Sequence, residues 1–597
     1  MSKSAPFQFG PRIEDDRVRF RFWAPKQQAP ALVIDGVADP LPMQPVGDGW
    51  FEAAVPGGPG LRYRFRLDDG LEVPDPGSRH QPDDVHGPSE VIAPDAYEWH
   101  DRAWRGRPWH EAVVYELHVG TFTPEGTFRA AIDRLDHLAR LGVTAIEVMP
   151  VADFPGTRNW GYDGVLPYAV EASYGRPDDF KAFVDAAHAR GLMVLLDVVY
   201  NHFGPDGNYL PLYAPIFTDK HRTPWGEAVN VDDAASPAVR DFLIENAVYW
   251  VRDFHLDGLR LDAVHEIRDD GDLHVLDELR QRVAAAVPHR PVHIVLENEE
   301  NDSGRLARED GVARRFTAQW NDDVHHVLHV AVSGEDAGYY ADYAGRTDLL
   351  GRALAEGFAF QGAHMPYRGS ARGAPSGDLP PDAFVAFLQN HDQIGNRAFG
   401  DRITAIAPAE AVRAATAVVL LSPQIPMLFQ GEEWGSRRPF PFFCDFTGDL
   451  ADAVREGRRG EFARFPEFAD PARRAEIPDP TAVDTFLSAK LDWSEPELPK
   501  HADILDWTRR LLSLRHAAIV PLLPLIGRGG SFRELGPGAV AIVWEIADGR
   551  QLQLAANLSA ASVEADLDLG GDLLWRQGSV GSDHVGEWSV DWRIAGP

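Results

Sequence analysis

Hydrophobic positions along this chain change rhythm twice. Up to about residue 105 they alternate with polar ones: Val18-Arg-Phe-Arg-Phe-Trp23 and Leu61-Arg-Tyr-Arg-Phe-Arg-Leu67 read as strands with one apolar and one wet face. Punctuation such as Pro56-Gly-Gly-Pro-Gly60 separates such runs. This predicts a small β-sandwich whose aromatics pack its core or dock it onto the next domain.

From about residue 110 the pattern becomes an apolar run, a loop, then a helical period. The runs Val113–Val119, Val143–Pro150, Leu192–Tyr200, Asp257–Ala263, Val292–Glu297, Phe316–Trp320, Ala383–Gln389 and Ile425–Phe429 are the expected strands. Phe128–Leu141, Asp178–Arg190, Ala238–Phe254, Leu273–Val287 and stretches near 410–421 and 504–518 are the expected helices. Strands apolar throughout belong in a parallel sheet covered on both faces. The predicted class is α/β: a (β/α)8 TIM barrel with an N-terminal β-sandwich, an insertion after the third strand and a C-terminal β-sandwich. Expected units are 1–105, 106–520 and 521–597, with the insertion at 201–236. That insertion reads as a loop, as does the stretch 433–503 between the eighth strand and its helix, which includes the charged run Glu456–Phe462. Alternation returns in Ala539–Trp544 and Leu552–Asn557.

Composition narrows the partners. The 597 residues are 44% apolar and include 16 tryptophans, which marks folded material. A net charge of −33, from 58 basic and 91 acidic side chains, repels phosphate backbones and anionic membranes. Neither nucleic acid nor a membrane is therefore an expected partner. The single cysteine, Cys444, has no partner for a disulfide, and no Cys/His spacing suits zinc. The opening residues Met1–Phe7 lack the apolar core of a signal peptide, so a cytoplasmic location is expected.

In barrels of this kind the reactive side chains lie at the C-terminal strand ends. Here the third strand ends in Asp197-Val-Val-Tyr-Asn-His202, the fourth in Arg260-Leu-Asp262, the fifth in Glu297 and the seventh in Asn390-His-Asp392. Arg260 with Asp262 alone reads equally well as a structural ion pair. Carboxylates at successive strand ends point instead to a catalytic site. Glycoside hydrolysis needs one ionised and one protonated carboxyl group. Asp262, favoured in its ionised form by Arg260, suits a nucleophile, and Glu297 suits the general acid that later acts as base. Asp392, His202 and His391 are placed to hold sugar hydroxyls. A retaining pair stands about 5–5.5 Å apart and an inverting pair about 6.5–9.5 Å; sequence leaves that separation open.

The segments Asp197–His202, Gly258–His265, Leu296–Glu299 and Gln389–Asp392 resemble the four short motifs of the α-amylase superfamily of retaining α-glucan enzymes. That resemblance implies Asp262 as nucleophile, Glu297 as acid/base and Asp392 as transition-state stabiliser. It implies sugar contacts from Tyr162, Asp197, His202, Arg260, His265 and His391. Glu297-Asn-Glu-Glu300 places three acids close together, and Glu297 is preferred because it closes the apolar run Val292–Leu296.

Gln319–His326, Pro439–Phe446 and Glu456–Phe462 resemble the trehalohydrolase branch of that superfamily. Its members cut the α-1,4 bond beside the terminal trehalose of maltooligosyltrehalose and release trehalose. A closed acceptor side is then expected from the sixth-strand loop (Asn321, Asp322, Asp323, His325, His326) and from Phe440–Phe446, with Asn321 and Asp322 touching substrate; His325 and His326 each read more readily as the start of a helix, and the Phe cluster equally well as packing of its loop onto the barrel. Trp225 and Tyr209 either stack on the glucan or pack their own loop. No cofactor and no metal are expected, although some superfamily members hold calcium near the position of Asn201. A maltooligosyltrehalose synthase is the implied pathway partner. A glycogen branching or debranching enzyme remains the alternative, and a non-catalytic α-glucan-binding protein the alternative of another class.

Overall fold

The computed structural model describes residues 7–463, 465–568 and 570–596. Of the N-terminal segment that bears on a targeting signal, residues 1–6 lie outside them. Eight parallel strands form the centre: β1 (Val114–Leu117), β2 (Ala145–Val148), β3 (Met193–Val198), β4 (Gly258–Leu261), β5 (His293–Leu296), β6 (Ala318–Trp320), β7 (Phe384–Phe387) and β8 (Ile425–Phe429). They pair in chain order, and β1 pairs with β8 to close the barrel. Every residue of the eight is buried, the condition that their unbroken apolar runs predict. Helices Pro177–His188, Ser236–Asp253, Val275–Ala286, Asp322–Ser333, Ala409–Leu421 and Pro499–Leu514 cover the outside.

Two expected loops have structure of their own. The insertion after β3 folds into a hairpin, Phe217–Thr223 against Gly226–Val229. The stretch after β8 is largely helical, with Gly448–Phe462, Pro471–Arg474 and Val483–Ala489. The charged run sits on the first of these helices, where Arg458 donates to the carbonyls of Gly395 at 2.6 Å and Arg397 at 2.9 Å. Its charges are thus helix surface plus one buried carbonyl clamp. The helix after β6 begins at Asp322, so His325 and His326 lie in its first turns, in agreement with their reading as the start of a helix.

The N-terminal strands build two sheets. Val18, Phe20 and Phe22 point inward while Arg19 and Arg21 pair outside with Glu52. Phe22 stacks on Phe65 at 4.2 Å. Phe9 packs on both Trp50 and Phe242 of the barrel helix Ser236–Asp253, so these aromatics serve core and docking. At the other end a five-stranded sheet (Ser531–Gly536, Ala539–Glu545, Gln551–Asn557, Ser589–Ala595, Asp572–Gln577) rests on helix Thr347–Glu356. Gly351 allows that approach, since a Cβ there would meet the Phe532 ring at 2.2 Å.

At the bottom of the barrel, the linker from the sandwich is locked by a buried imidazole. His188 Nδ1 lies 2.9 Å from Asp101 and its Nε2 lies 2.9 Å from Asp257, just before β4. Trp104 stacks on that ring and donates to Asp257 at 2.7 Å. Burial disfavours the imidazolium, but the two carboxylates outweigh it and raise the His188 pKa above its ordinary 6.5. A raised folded value means that this stabilisation is complete below pH 6.5 and is lost as pH climbs through the higher folded value. Thermal midpoints measured across that range should fall for the wild type, and the fall should be smaller in His188→Gln, where His391, also raised, still contributes.

Candidate active site

Barrel register places the charges. β3 and β4 pair with Asp197 opposite Arg260, and β1 and β2 pair with Glu116 opposite Glu147. Arg260 is 2% exposed and donates from Nη1 to both Asp197 oxygens, at 2.9 and 2.8 Å. The same nitrogen donates to Asp262 Oδ1 at 2.7 Å, while Nη2 faces Glu297 Oε2 at 3.2 Å. One guanidinium therefore meets three carboxylates. Its plane also rests over the Trp320 ring at 4.1 Å, which fixes it from β6.

Backbone geometry brings the fourth and fifth strand ends together. Ala263, directly after Asp262, adopts the left-handed region at φ 39°, unusual for alanine, and its N–H donates to Glu297 Oε2 at 2.6 Å. Such strain persists where the surroundings over-determine it. His391 and Asp392 begin the short helix His391–Gly395, and the Asn390 side chain caps it by accepting from Asp392 N at 2.9 Å. Tyr162 donates to Asp197 at 2.6 Å and stacks on His391 at 5.1 Å. His202 meets the Tyr162 carbonyl at 2.9 Å through Nε2 and lies flat against Trp225 at 4.5 Å. Trp225 keeps its outer face open, at 54% exposure. His265 turns toward the fifth-strand loop, accepting from Glu299 N at 3.3 Å.

The electrostatics differ from expectation at Asp262. Burial pushes its carboxyl up from the ordinary 3.8; Arg260 opposes this and Asp197 reinforces it, leaving a net rise. Arg260 pulls the carboxyl down in the expected direction, but its single charge is shared with Asp197 and Glu297, so burial prevails. Asp197 shifts up for the same first reason, burial. Glu147 is driven well above the carboxylate range by burial, then by Glu116 and Asp197, with Arg260 opposing. Asp322, half-buried at the end of β6, is pushed up to about 8 by burial and then by Glu297.

The expected acceptor-side residues divide. Asp322 stays at the mouth, where Gln393 approaches it at 3.4 Å. Asn321 does not: it is fully buried, and its amide donates to the Gly357 carbonyl at 2.7 Å and to Gln424 at 2.9 Å. Asp323 is fully buried between Arg372 at 2.6 Å and the Tyr343 hydroxyl at 2.6 Å. His325 joins the Leu388 carbonyl and the Tyr340 hydroxyl inside the wall. Phe440 and Phe443 are fully buried against Trp160, Ile394 and Phe429, so most of that aromatic loop is packing. Tyr209 bonds His86 of the N-terminal region at 2.7 Å rather than facing an open cleft.

Sequence reading missed three contributors. Glu116 grips His391 by its ring at 2.5 Å and by its N–H at 3.1 Å. Glu147 and Trp320 complete the interior around Arg260. The available signal was an acid inside a strand otherwise apolar, in Val-Tyr-Glu116-Leu and Ala-Ile-Glu147-Val. Among the described residues, His221, Asp232 and Asp270 lie close enough to share a metal ion, but the Lys220 ammonium already sits 2.8 Å from Asp232 and 3.2 Å from Asp270.

Comparison with known proteins gives the family. A profile for the alpha amylase catalytic domain matches residues 88–211, and one for a domain of unknown function, DUF3459, matches residues 527–592. A malto-oligosyltrehalose trehalohydrolase of Arthrobacter ramosus is 46% identical over 504 residues, covering 83% of this chain and 87% of that one. The enzyme of the same name from Deinococcus radiodurans is 44% identical, over 83% of this chain and 80% of its own. The chain belongs to the malto-oligosyltrehalose trehalohydrolase family. A Salmonella typhimurium crystal structure, provisionally assigned as an alpha amylase, superposes on this member of the family with a TM-score of 0.94. It is 48% identical and covers 99% of this chain and 100% of that one. A Paenibacillus barengoltzii pullulanase, 20% identical with a TM-score of 0.70, shares the fold.

If Asp262 must be ionised to act, its upward shift sets a sign. Activity is lost as pH falls through the raised value, so the acid limb of kcat/KM should have its midpoint above 3.8. A midpoint at or below 3.8 in the pH–rate profile would contradict this placement.

Proposed function

We propose that this chain hydrolyses the α-1,4-glucosidic bond beside the terminal trehalose of maltooligosyltrehalose by a retaining double displacement. What carries the chemistry is the meeting of Asp262 and Glu297 on the two terminal nitrogens of the Arg260 guanidinium. A close carboxyl pair is the retaining arrangement. The substrate comes from the names that the relatives bear.

In the first step an Asp262 oxygen bonds to the anomeric carbon while the bond from that carbon to the bridging oxygen breaks. Glu297 gives its proton to that oxygen, and trehalose leaves. Water then attacks the anomeric carbon and passes a proton to Glu297, which frees Asp262 and restores both groups. Asp392 supports the positive charge that develops on the flattened ring. Tyr162, Asp197, His202, Arg260 and His391 shape the pocket for the glucosyl ring in front of Asp262, while His265 and Asp322 flank Glu297. No metal or cofactor enters a step. Residues 106–520 serve as the catalytic unit, with 1–105 and 521–597 flanking it. A maltooligosyltrehalose synthase, in the same cytoplasmic compartment, supplies the substrate.

With maltotriosyltrehalose as substrate, the expected first products are trehalose and α-maltotriose, read by NMR before mutarotation. New branch points on amylose, or no trehalose, would overturn the assignment. Asp262→Asn should lower kcat by about 10⁴-fold or more while thermal midpoint and glucan binding persist. Near wild-type turnover in that variant would remove Asp262 from the role.

A further inference from the structure

The Glu116 side chain bonds one residue with both of its oxygens. It lies on β1 inside the barrel, 1% exposed, and its Oε1 meets His391 Nδ1 at 2.5 Å while Oε2 accepts from the His391 backbone N–H at 3.1 Å. Among the described residues neither oxygen has another hydrogen-bond partner. A carboxylate buried this deeply is unfavourable unless a charge-assisted partner meets it, and His391 is that partner.

The two contacts fix different things. The bond to the N–H holds the start of the short helix His391–Gly395, and the bond to Nδ1 sets the rotation of the ring. Tyr162 stacked at 5.1 Å and Trp160 edge-on at 5.3 Å leave the ring little room to turn. With Nδ1 engaged by Glu116, Nε2 is the nitrogen left for a ligand.

The other charged or titratable groups around this imidazole are Asp197 on β3, Arg260 on β4, His118 after β1, Tyr162, its own neighbour Asp392, and Glu147 beside Glu116. Burial disfavours the imidazolium, and Arg260 adds to that. Glu116 and then Asp392 outweigh them, so His391 titrates above its ordinary 6.5. Below that raised value Nε2 carries a proton and donates; above it, Nε2 can only accept.

We infer that Glu116 is a positioning residue of the reaction, which keeps His391 doubly protonated and aimed so that Nε2 donates to a hydroxyl of the glucosyl ring in front of Asp262. A donor already fixed in place strengthens its bond to that hydroxyl as the ring flattens, with no reorganisation at the moment of reaction. This inference rests on the function proposed above and adds to it a residue on a strand that supplies none of the three reacting carboxyl groups.

The test is a double-mutant cycle on turnover of maltotriosyltrehalose, with Glu116→Gln, His391→Gln and the two together. Glu116→Gln keeps the shape and removes the charge, so kcat should fall at least about tenfold while KM changes less than about threefold. In the His391→Gln background the same change should lower kcat no further, because its effect runs through that ring. The imidazole nitrogen NMR signals of His391, identified by their loss in His391→Gln, should titrate in the wild type with a midpoint above 6.5. Glu116→Gln should move that midpoint down by about one unit or more. Additive losses in the cycle, or a His391 midpoint that does not move, would overturn the inference. Should Glu116→Gln fold poorly, Glu116→Asp, which keeps the charge but shortens the reach, replaces it in the cycle with the same expected loss and the same silence behind His391→Gln. If the wild type releases no trehalose, the function proposed above fails first, and the nitrogen titration still decides whether Glu116 governs His391.

Discussion

Arg260 is the fixed cation that Asp197, Asp262 and Glu297 share, and the arrangement around it follows from one positive charge serving three acids. Two carboxylates about 4 Å apart repel by roughly 4 kcal/mol at an effective dielectric near 20. Asp197, Asp262 and Glu297 all lie within 3.2 Å of the guanidinium, which offsets most of that repulsion only while its geometry is held. Trp320 stacked on the guanidinium, and the β3–β4 register that sets Asp197 opposite Arg260, hold it. Glu147, in the same interior, is pushed well above the carboxylate range by burial, Glu116 and Asp197 against the pull of Arg260. Removing one partner of such a buried set typically costs about 3–5 kcal/mol, because the remaining charges are left uncompensated. Fold and site thus share a single electrostatic support.

The same support arranges the surroundings of Asp262, the proposed nucleophile. Asp197 receives Arg260 on one side and the Tyr162 hydroxyl on the other, so the stacking ring is oriented by the charge network. His391 is held between that ring and Glu116. Its neighbour Asp392 then depends on the Asn390 cap for direction. The result is a polar pocket built on strand ends and one-turn caps, with little left to mobile loops.

Strand positions were legible because a buried parallel sheet leaves unbroken apolar runs, and Asp257–Ala263 showed this most plainly. Asp262, Glu297 and Asp392 were legible because each breaks such a run at its C-terminal end. Asn321 and Asp323 misled for a physical reason. An Asn or Asp before a helix serves equally as a cap, a buried carbonyl partner or a ligand contact, and only tertiary packing decides. Asn321 turned inward to Gly357 and Gln424, whereas Asp322, one residue on, stayed at the mouth. Phe440–Phe446 read equally as a ligand loop and as packing, and the burial of Phe440 and Phe443 favours packing. The Arg260–Asp262 charge balance also eluded sequence, since it requires knowing how many carboxylates share one guanidinium.

The central claim is that Asp262 attacks the anomeric carbon from within the Arg260 network. The most direct measurement is trapping with a fluorinated α-glucosyl fluoride whose second step is slowed, followed by peptide mass spectrometry. The account predicts one glycosyl adduct, carried by Asp262 and reversed on incubation with a glucan acceptor. An adduct on Glu297 or Asp392, or inversion with no adduct at all, would contradict it.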